Sequence, residues 1–470
     1  MKSTPFPQVP DLSRRQFVGA CCATVGATAL LSVLAQLRAI GGVVGSARPV
    51  SKAAARDDYK ALVCLFLAGG NDANNLLVPD DVGYAAYASA RAALALPSEG
   101  LLAIKPRSRD GRSFALHPSV PELRDLFANG RLALLANVGT LVVPTTKAQF
   151  QARSVPLPGA LFSHNDQQVQ WQSSLSSEKL FTSGWGGRLA DLTNALNENN
   201  TISMSISLAG QNAFQVGKHV SQYAVRPRGA VQPAGMNGAL GAIRAQAHAD
   251  LLHTGSDNLF SAAFSGLTTE AITDSQLLAS VLRDDAPQLA TKFPTTNLGA
   301  QLAMIARLIA VAPSLGLRRQ IFFARAGGWD LHDAQLGAHA RLLGDVSQSV
   351  AAFYQATEEL KLADKVTTFT ASDFGRTYTG NGDGSDHGWG SHHFVVGGAV
   401  RGGDIFGRMP DFALNGPDDT GRGRWIPTTS VDEYSATLAT WFGVSATDLP
   451  VVLPNIGQFA RPNLGFLRQG

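Results

Sequence analysis

The chain reads as an α/β protein, a mostly parallel central sheet covered by helices on both faces. Three observations predict it. ALVCLFL at 61–67 and LALLANV at 132–138 are near-continuous apolar runs, the pattern of strands buried on both faces. Helical patterns separate such runs, as a parallel sheet with crossover connections requires. Three runs end in a turn that holds a glycine and an acid, at Asp72, Asp330 and Asp373. In open α/β sheets the carboxyl edge of the strands is where ligands bind.

The elements follow in order. Ala61 to Leu67 is the first strand and closes in Gly69-Gly70-Asn71-Asp72. SVPELRDLFAN at 119–129 reads as a helix with Ser119 as N-cap and Gly130 beyond its end. Leu132 to Val138 is the next strand, and Ile202 to Leu208 another. Leu298 to Val311 is a strongly apolar helix, and Arg319 to Ala326 a strand ending in Gly327-Gly328-Trp329-Asp330-Leu331-His332. A long helix runs from Ala334 to Leu362, strands return at Val366 to Thr370 and His393 to Val396, and Val431 to Phe442 is a last amphipathic helix. Residues 55–470 are expected to form a single domain, with turn-rich insertions near 144–185 and 210–235.

The first 47 residues read as an export signal. Ser13-Arg14-Arg15-Gln16-Phe17-Val18 precedes an uncharged apolar stretch from Gly19 to Ala35, and Gly45-Ser46-Ala47 offers a cleavage site. The stretch is too short for a membrane span. This predicts export by the twin-arginine translocase to the periplasm or beyond, with no stable membrane span after cleavage. The whole chain carries a formal charge of +3, and the signal holds Lys2, Arg14, Arg15 and Arg38 against Asp11, so the mature chain is near neutral. With no basic run, nucleic acid is excluded as a partner. Cys21 and Cys22 lie in the signal, which leaves Cys64 as a buried thiol in the first strand.

The stretch 368–393, TFTASDFGRTYTGNGDGSDHGWGSHH, is the densest cluster of ligand-type side chains. It brings Asp373, Asp383, Asp386, His387, His392 and His393 together in a chain with ten histidines. Carboxylate and imidazole together suit divalent cations, here zinc, manganese or calcium. The metal set expected is Asp72, Asp330, His332, Asp373, Asp386, His387 and His392. The loop from Asn381 to His393 is expected to be ordered by the ion. Ser163 and His164 form a second polar cluster, either a helix cap or a nucleophile with its partner; the glycines of a nucleophile elbow are absent. Arg376 is placed to clamp an anionic oxygen.

GGNDANNLLVP at 69–79, SHNDQQVQW at 163–171, GGWDLH at 327–332, SDFGRT at 372–377 and DHGWGSHHFVVGG at 386–398 occur in a set order. Together they resemble the exported bacterial family of domain of unknown function 1501, related to alkaline phosphatases and sulfatases. The resemblance implies an alkaline phosphatase-like three-layer sandwich, one or two divalent metals at its carboxyl edge, and hydrolysis of small-molecule or polymeric phosphate or sulfate esters. Asp72 looks like that superfamily's first-strand ligand, Asp330 and His332 like its middle pair, and Asp373 like its later strand-end acid. Phe374 stands where a histidine usually completes an Asp-His pair, and the resemblance leaves His387 or His392 as candidates to supply the imidazole from the loop. The modified cysteine of sulfatases is missing, and the nucleophile stays unassigned. The alternative is an exported scaffold or binding protein that retains the fold without activity.

Overall fold

The computed structural model describes residues 58–108, 112–177, 181–199, 201–227, 229–230, 240–253 and 258–468. The signal expected at 1–47 lies outside the described residues. A ten-stranded mixed sheet forms the centre. Its middle is parallel: Lys60–Ala68 lies between Val366–Ser372 and Arg319–Gly327, with Leu67 opposite Ser372 and Ala68 opposite Gly327. The parallel order continues from Arg319–Gly327 to Ser205–Ser207 and Tyr223–Arg226. On the other side Ser391–Gly397 runs antiparallel between Val366–Ser372 and Leu132–Gly139.

From Ala61 to Ala68 every residue of the first strand is buried, as a strand covered on both faces must be. One helical group packs His164–Ser173, Trp185–Thr193 and Val431–Phe442 on the sheet. The other packs Pro121–Ala128, Asn297–Ala310 and Gln335–Glu359. The result is an α/β sandwich with helices on both faces. Local chemistry sets the helix starts. Thr296 accepts from Gly299 N at 3.0 Å, and Ser430 and Glu433 form a reciprocal capping box for Val431–Phe442. The first helix after Ser119 starts at Pro121 with Val120 at the cap position, because proline suits N1 and has no N–H to satisfy.

Two segments differ from expectation. Asn381–His393 is not a loop throughout: Ser385–His387 pairs antiparallel with Arg376–Gly380, and Ser391 already begins a sheet strand. Leu259–Asp284 forms a long helix that is not among the elements expected from sequence. No described helix is long and apolar enough to cross a membrane.

Candidate metal centre

The parallel register brings three strand ends side by side, so the residues after Ala68, Gly327 and Ser372 share one edge. Gly69, with φ +122°, lets the chains pass there: a Cβ on it would lie 2.4 Å from Asp330 N. Its own N–H donates to Asp373 Oδ1 at 3.0 Å. Asp373 is fully buried, and its other oxygen takes two donors, His164 Nδ1 at 2.7 Å and Gln168 Nε2 at 2.8 Å. His164 opens the helix His164–Ser173 and Gln168 stands one turn later, so the two side chains leave the same helix face.

The three imidazoles around Asp330 share one design. His164 commits Nδ1 to Asp373. His387 commits Nδ1 to the carbonyl of Phe162 at 2.7 Å, which can only accept. His332 points Nδ1 toward Asp386 Oδ1 at 3.4 Å. Each then turns Nε2 to Asp330: His164 lies 3.3 Å from Oδ2, and His332 and His387 lie 3.0 and 3.3 Å from Oδ1. His332 Nε2 and His387 Nε2 are 3.1 Å apart, while the buried His164 Nε2 has no hydrogen-bond partner. Among the described residues, His164, Asp330 and His387 form a group whose ligand atoms all lie within 4.8 Å of one another. Imidazoles fixed through Nδ1 and facing a carboxylate through Nε2 form a ligand cluster that could hold a divalent ion.

Arg376 orients the carboxylate. It pairs with Asp330 Oδ1 at 2.8 Å and spends its other donors on the carbonyls of Gly69, Leu331 and Ser385. Burial pushes the Asp330 carboxyl up, but the Arg376 bond and charge, with His164 and His332, outweigh it and hold it below the usual range. Burial, helped by the charges of Arg376 and His164, keeps His387 below ordinary imidazole, against the bond to Phe162. Asp386 is likewise held low: burial raises it, and Arg422 and Asn381 more than compensate. Phe374 stacks its ring on His387 (centroids 4.6 Å apart) and lies 4.9 Å from that of His164, giving the two imidazoles an apolar floor.

The structure thus brings Asp330, His332, His387 and His164 together, with Asp373 and Asp386 behind them. It does not bring Asp72 or His392. Asp72 is buried and bound by Arg91 and Gln335, so the guanidinium takes the place beside it that a second ion would need. His392 is buried in the Ser391–Gly397 strand, where its Nδ1 accepts from Asn137 N at 3.1 Å. The expectation that these two serve as ligands gives way to those contacts. The clamp expected of Arg376 does too, since the side chain is 1% exposed and its donors are engaged. The turn at 381–385 is held by protein contacts: Asp383 accepts from Ala334 N and Gln335 N, and Ser385 N donates to the Leu331 carbonyl. Ser163 occupies the cap position before His164, and its Oγ donates to Asp166 Oδ2 at 2.6 Å.

Residues 59–421 match the family model described as Protein of unknown function (DUF1501). The chain belongs to that family. No curated protein matches it in sequence. Among solved structures it is similar to Ps i-CgsB, with 12% identity, TM-score 0.35, and 86% of this chain and 77% of that one covered. It is also similar to the lipoteichoic acid synthase LtaP from Listeria monocytogenes, with 8% identity, TM-score 0.33 and coverage of 90% and 81%. For the PsFucS1 sulfatase from Pseudoalteromonas sp. the values are 10%, 0.34, 88% and 74%. Likenesses at these scores carry no argument about this chain's chemistry.

Proposed function

We propose that this DUF1501 chain is a metal-dependent hydrolase of phosphate or sulfate esters, with one divalent ion held by His164, Asp330, His387 and His332. One observation carries the reading. Three imidazoles, of which His164 and His387 have Nδ1 hydrogen-bonded, converge through Nε2 on one carboxylate. His387 Nε2, whose ring donates through Nδ1, presents a lone pair 3.1 Å from His332 Nε2, and either a proton on His332 or a cation between the rings satisfies it. A set of three nitrogens and a carboxylate suits zinc or manganese and suits calcium, which takes oxygen ligands, poorly. When bound, such an ion supplies Lewis-acid charge at the ester oxygen.

The chain's own residues do the rest. Asp373 and Gln168 hold His164 in one tautomer and one rotation. Arg376 keeps Asp330 turned toward the imidazoles. Asp330 is 43% exposed, so an ester reaches the centre from solvent. Ser163, next to His164, is the candidate nucleophile; Asp166 at 2.6 Å is placed to take its hydroxyl proton, and water is the alternative attacker. The export signal expected at residues 1–47 supports a setting outside the cytoplasm for this reaction.

A second reading keeps the fold and drops the chemistry. Arg91 on Asp72 favours it, because a carboxylate at the first strand end is consumed in an internal ion pair. Metal analysis and a panel of aryl phosphate, phosphodiester and aryl sulfate substrates separate the two. About one equivalent of zinc or manganese, with turnover that disappears in Asp330→Asn, supports the hydrolase. Less than about half an equivalent after supplementation ends the metal reading. A full equivalent without turnover on any ester selects the scaffold.

A further inference from the structure

We propose that Arg424 is the residue that recognises the anionic group of the substrate, a tetrahedral oxyanion such as a phosphoryl or sulfuryl group. The inference rests on the hydrolase reading and adds a substrate contact to it. Three arginines lie around the centre. Arg376 is buried and committed to Asp330 and backbone carbonyls. Arg422 pairs with Asp386 and reaches the carbonyl of Gly380 at 3.3 Å. Arg424 differs: only its Nε is bonded, donating to the carbonyl of His387 at 2.8 Å. Neither of its terminal nitrogens makes a hydrogen bond to a described residue.

The guanidinium is nevertheless fixed. Its central carbon stands over the ring of Phe162 at 4.8 Å, a cation–π contact. Phe162 adopts φ +74°, a strained value for a bulky residue, and this conformation supports two contacts at once. Its carbonyl receives His387 Nδ1 at 2.7 Å, and its ring lies under Arg424. The same two residues, Phe162 and His387, therefore position both a proposed ligand of the ion and the arginine. A planar fork whose two terminal nitrogens are unspent, held by its Nε and by one face, matches two oxygens of a tetrahedral anion. Arg424 is half-buried, so the fork is also partly desolvated. Anchored to the His387 carbonyl and to the ring of Phe162, whose carbonyl receives His387 Nδ1, the fork is tied to the same backbone that carries the imidazole facing Asp330.

The test is calorimetric titration of inorganic phosphate, and separately sulfate, into the zinc-supplemented mature chain, with bound zinc measured in the same samples. Arg424→Gln should bind zinc as the wild type does and weaken phosphate about 10- to 100-fold, the loss of a bidentate charge-assisted contact. Arg424→Lys should recover part of that, because the charge returns without the fork. Phe162→Leu, which keeps the backbone carbonyl and removes the ring, should weaken phosphate severalfold with zinc retained. It decides the matter if Arg424→Gln does not fold. Phosphate affinity within twofold of wild type in these variants overturns the assignment. So does a wild type that binds neither phosphate nor sulfate at tens of millimolar, whatever its metal content. A wild type that takes no zinc but loses phosphate binding on Arg424→Gln would refute the metal reading and keep the anion site.

Discussion

Replacing Asp373 by asparagine asks whether the buried carboxylate sets the state of His164. The side chain is 0% exposed and accepts from three donors: Gly69 N, His164 Nδ1 and Gln168 Nε2. Asparagine keeps one acceptor oxygen and gains a donor. If the oxygen faces His164 and Gln168, the amide nitrogen meets Gly69 N–H at about the 3.0 Å of the present bond. If it faces Gly69, the amide meets His164, which must then accept at Nδ1 and carry its proton on Nε2. That tautomer cannot bind a cation. Supporting carboxylates of this kind are worth about 10- to 100-fold in metal affinity, or about 1.4 to 2.8 kcal/mol. The unmade bond costs the metal-free fold about 1 to 3 kcal/mol as well. The assay is competition for zinc against a chromogenic chelator, paired with thermal unfolding with and without zinc. The zinc-dependent part of the stability should shrink by up to about 2.7 kcal/mol for a hundredfold weaker site. A variant that unfolds more easily yet binds zinc within twofold of wild type would refute the reasoning, and Asp373 would then be a packing residue.

Three further outcomes follow from the same structure. Asp72→Asn should leave zinc stoichiometry unchanged and affinity within a few-fold, because Asp72 belongs to Arg91; the stranded guanidinium should cost about 3 to 5 kcal/mol in a denaturant melt. A change in bound zinc from Asp72→Asn would return it to the ligand set. Acid should destabilise the fold between about pH 6.5 and 4, because burial pushes His117 and His392 down to about 4 and His339 and His393 to about 3. These groups fold neutral, so their contribution is full above the unfolded value near 6.5 and is lost as pH falls toward the folded values, at up to about 1.4 kcal/mol per unit per histidine. A melting temperature flat from pH 7 to 4.5 would contradict this. Asp432 has the opposite sign: burial raises it to about 7 against the pull of Ser174 and Asn455, so its stabilisation is present below the usual carboxylate range and lost as pH rises through about 7. Asp432→Asn should therefore stabilise more at pH 8.5 than at pH 5, as read by urea midpoints; equal shifts at both pH values would argue against a buried neutral acid.

How far the site was legible depends on which neighbours matter. The strand ends could be read because a run of apolar residues buried on both faces has few alternatives, and Asp330 and Asp373 stand where the chain leaves the sheet. By the same pattern Asp72 is indistinguishable from them. What sets it apart is Arg91, nineteen positions on and in another helix, whose side chain folds back to fill the space beside the carboxylate. His387 and His392 likewise look equivalent in sequence, five residues apart in one glycine-rich stretch. Pairing decides between them: Ser385–His387 closes a short ladder at the centre, while the strand from Ser391 carries His392 and His393 into the sheet.

The supporting residues show the same limit more sharply. Gln168 follows His164 by four positions, a spacing that a helix turns into a shared face, so its place beside His164 could have been inferred from the helix alone. The carbonyl of Phe162 and the fork of Arg424 could not. They act through backbone orientation and ring stacking, which leave no trace in residue type. Phe374 is the instructive case. At the position where an imidazole is the expected residue, an aromatic ring stacks against His387 and closes on His164, while a histidine from another element, His164, provides the ring bonded to Asp373. The Asp-His contact is made across the fold: the carboxylate stands at the strand end, and the imidazole arrives from the first residue of a helix more than two hundred positions earlier. A ring delivered from so distant an element keeps its orientation only while the Nδ1 partner that fixes it is kept, which is why Asp373 and Gln168 matter as much to this cluster as the imidazole they hold.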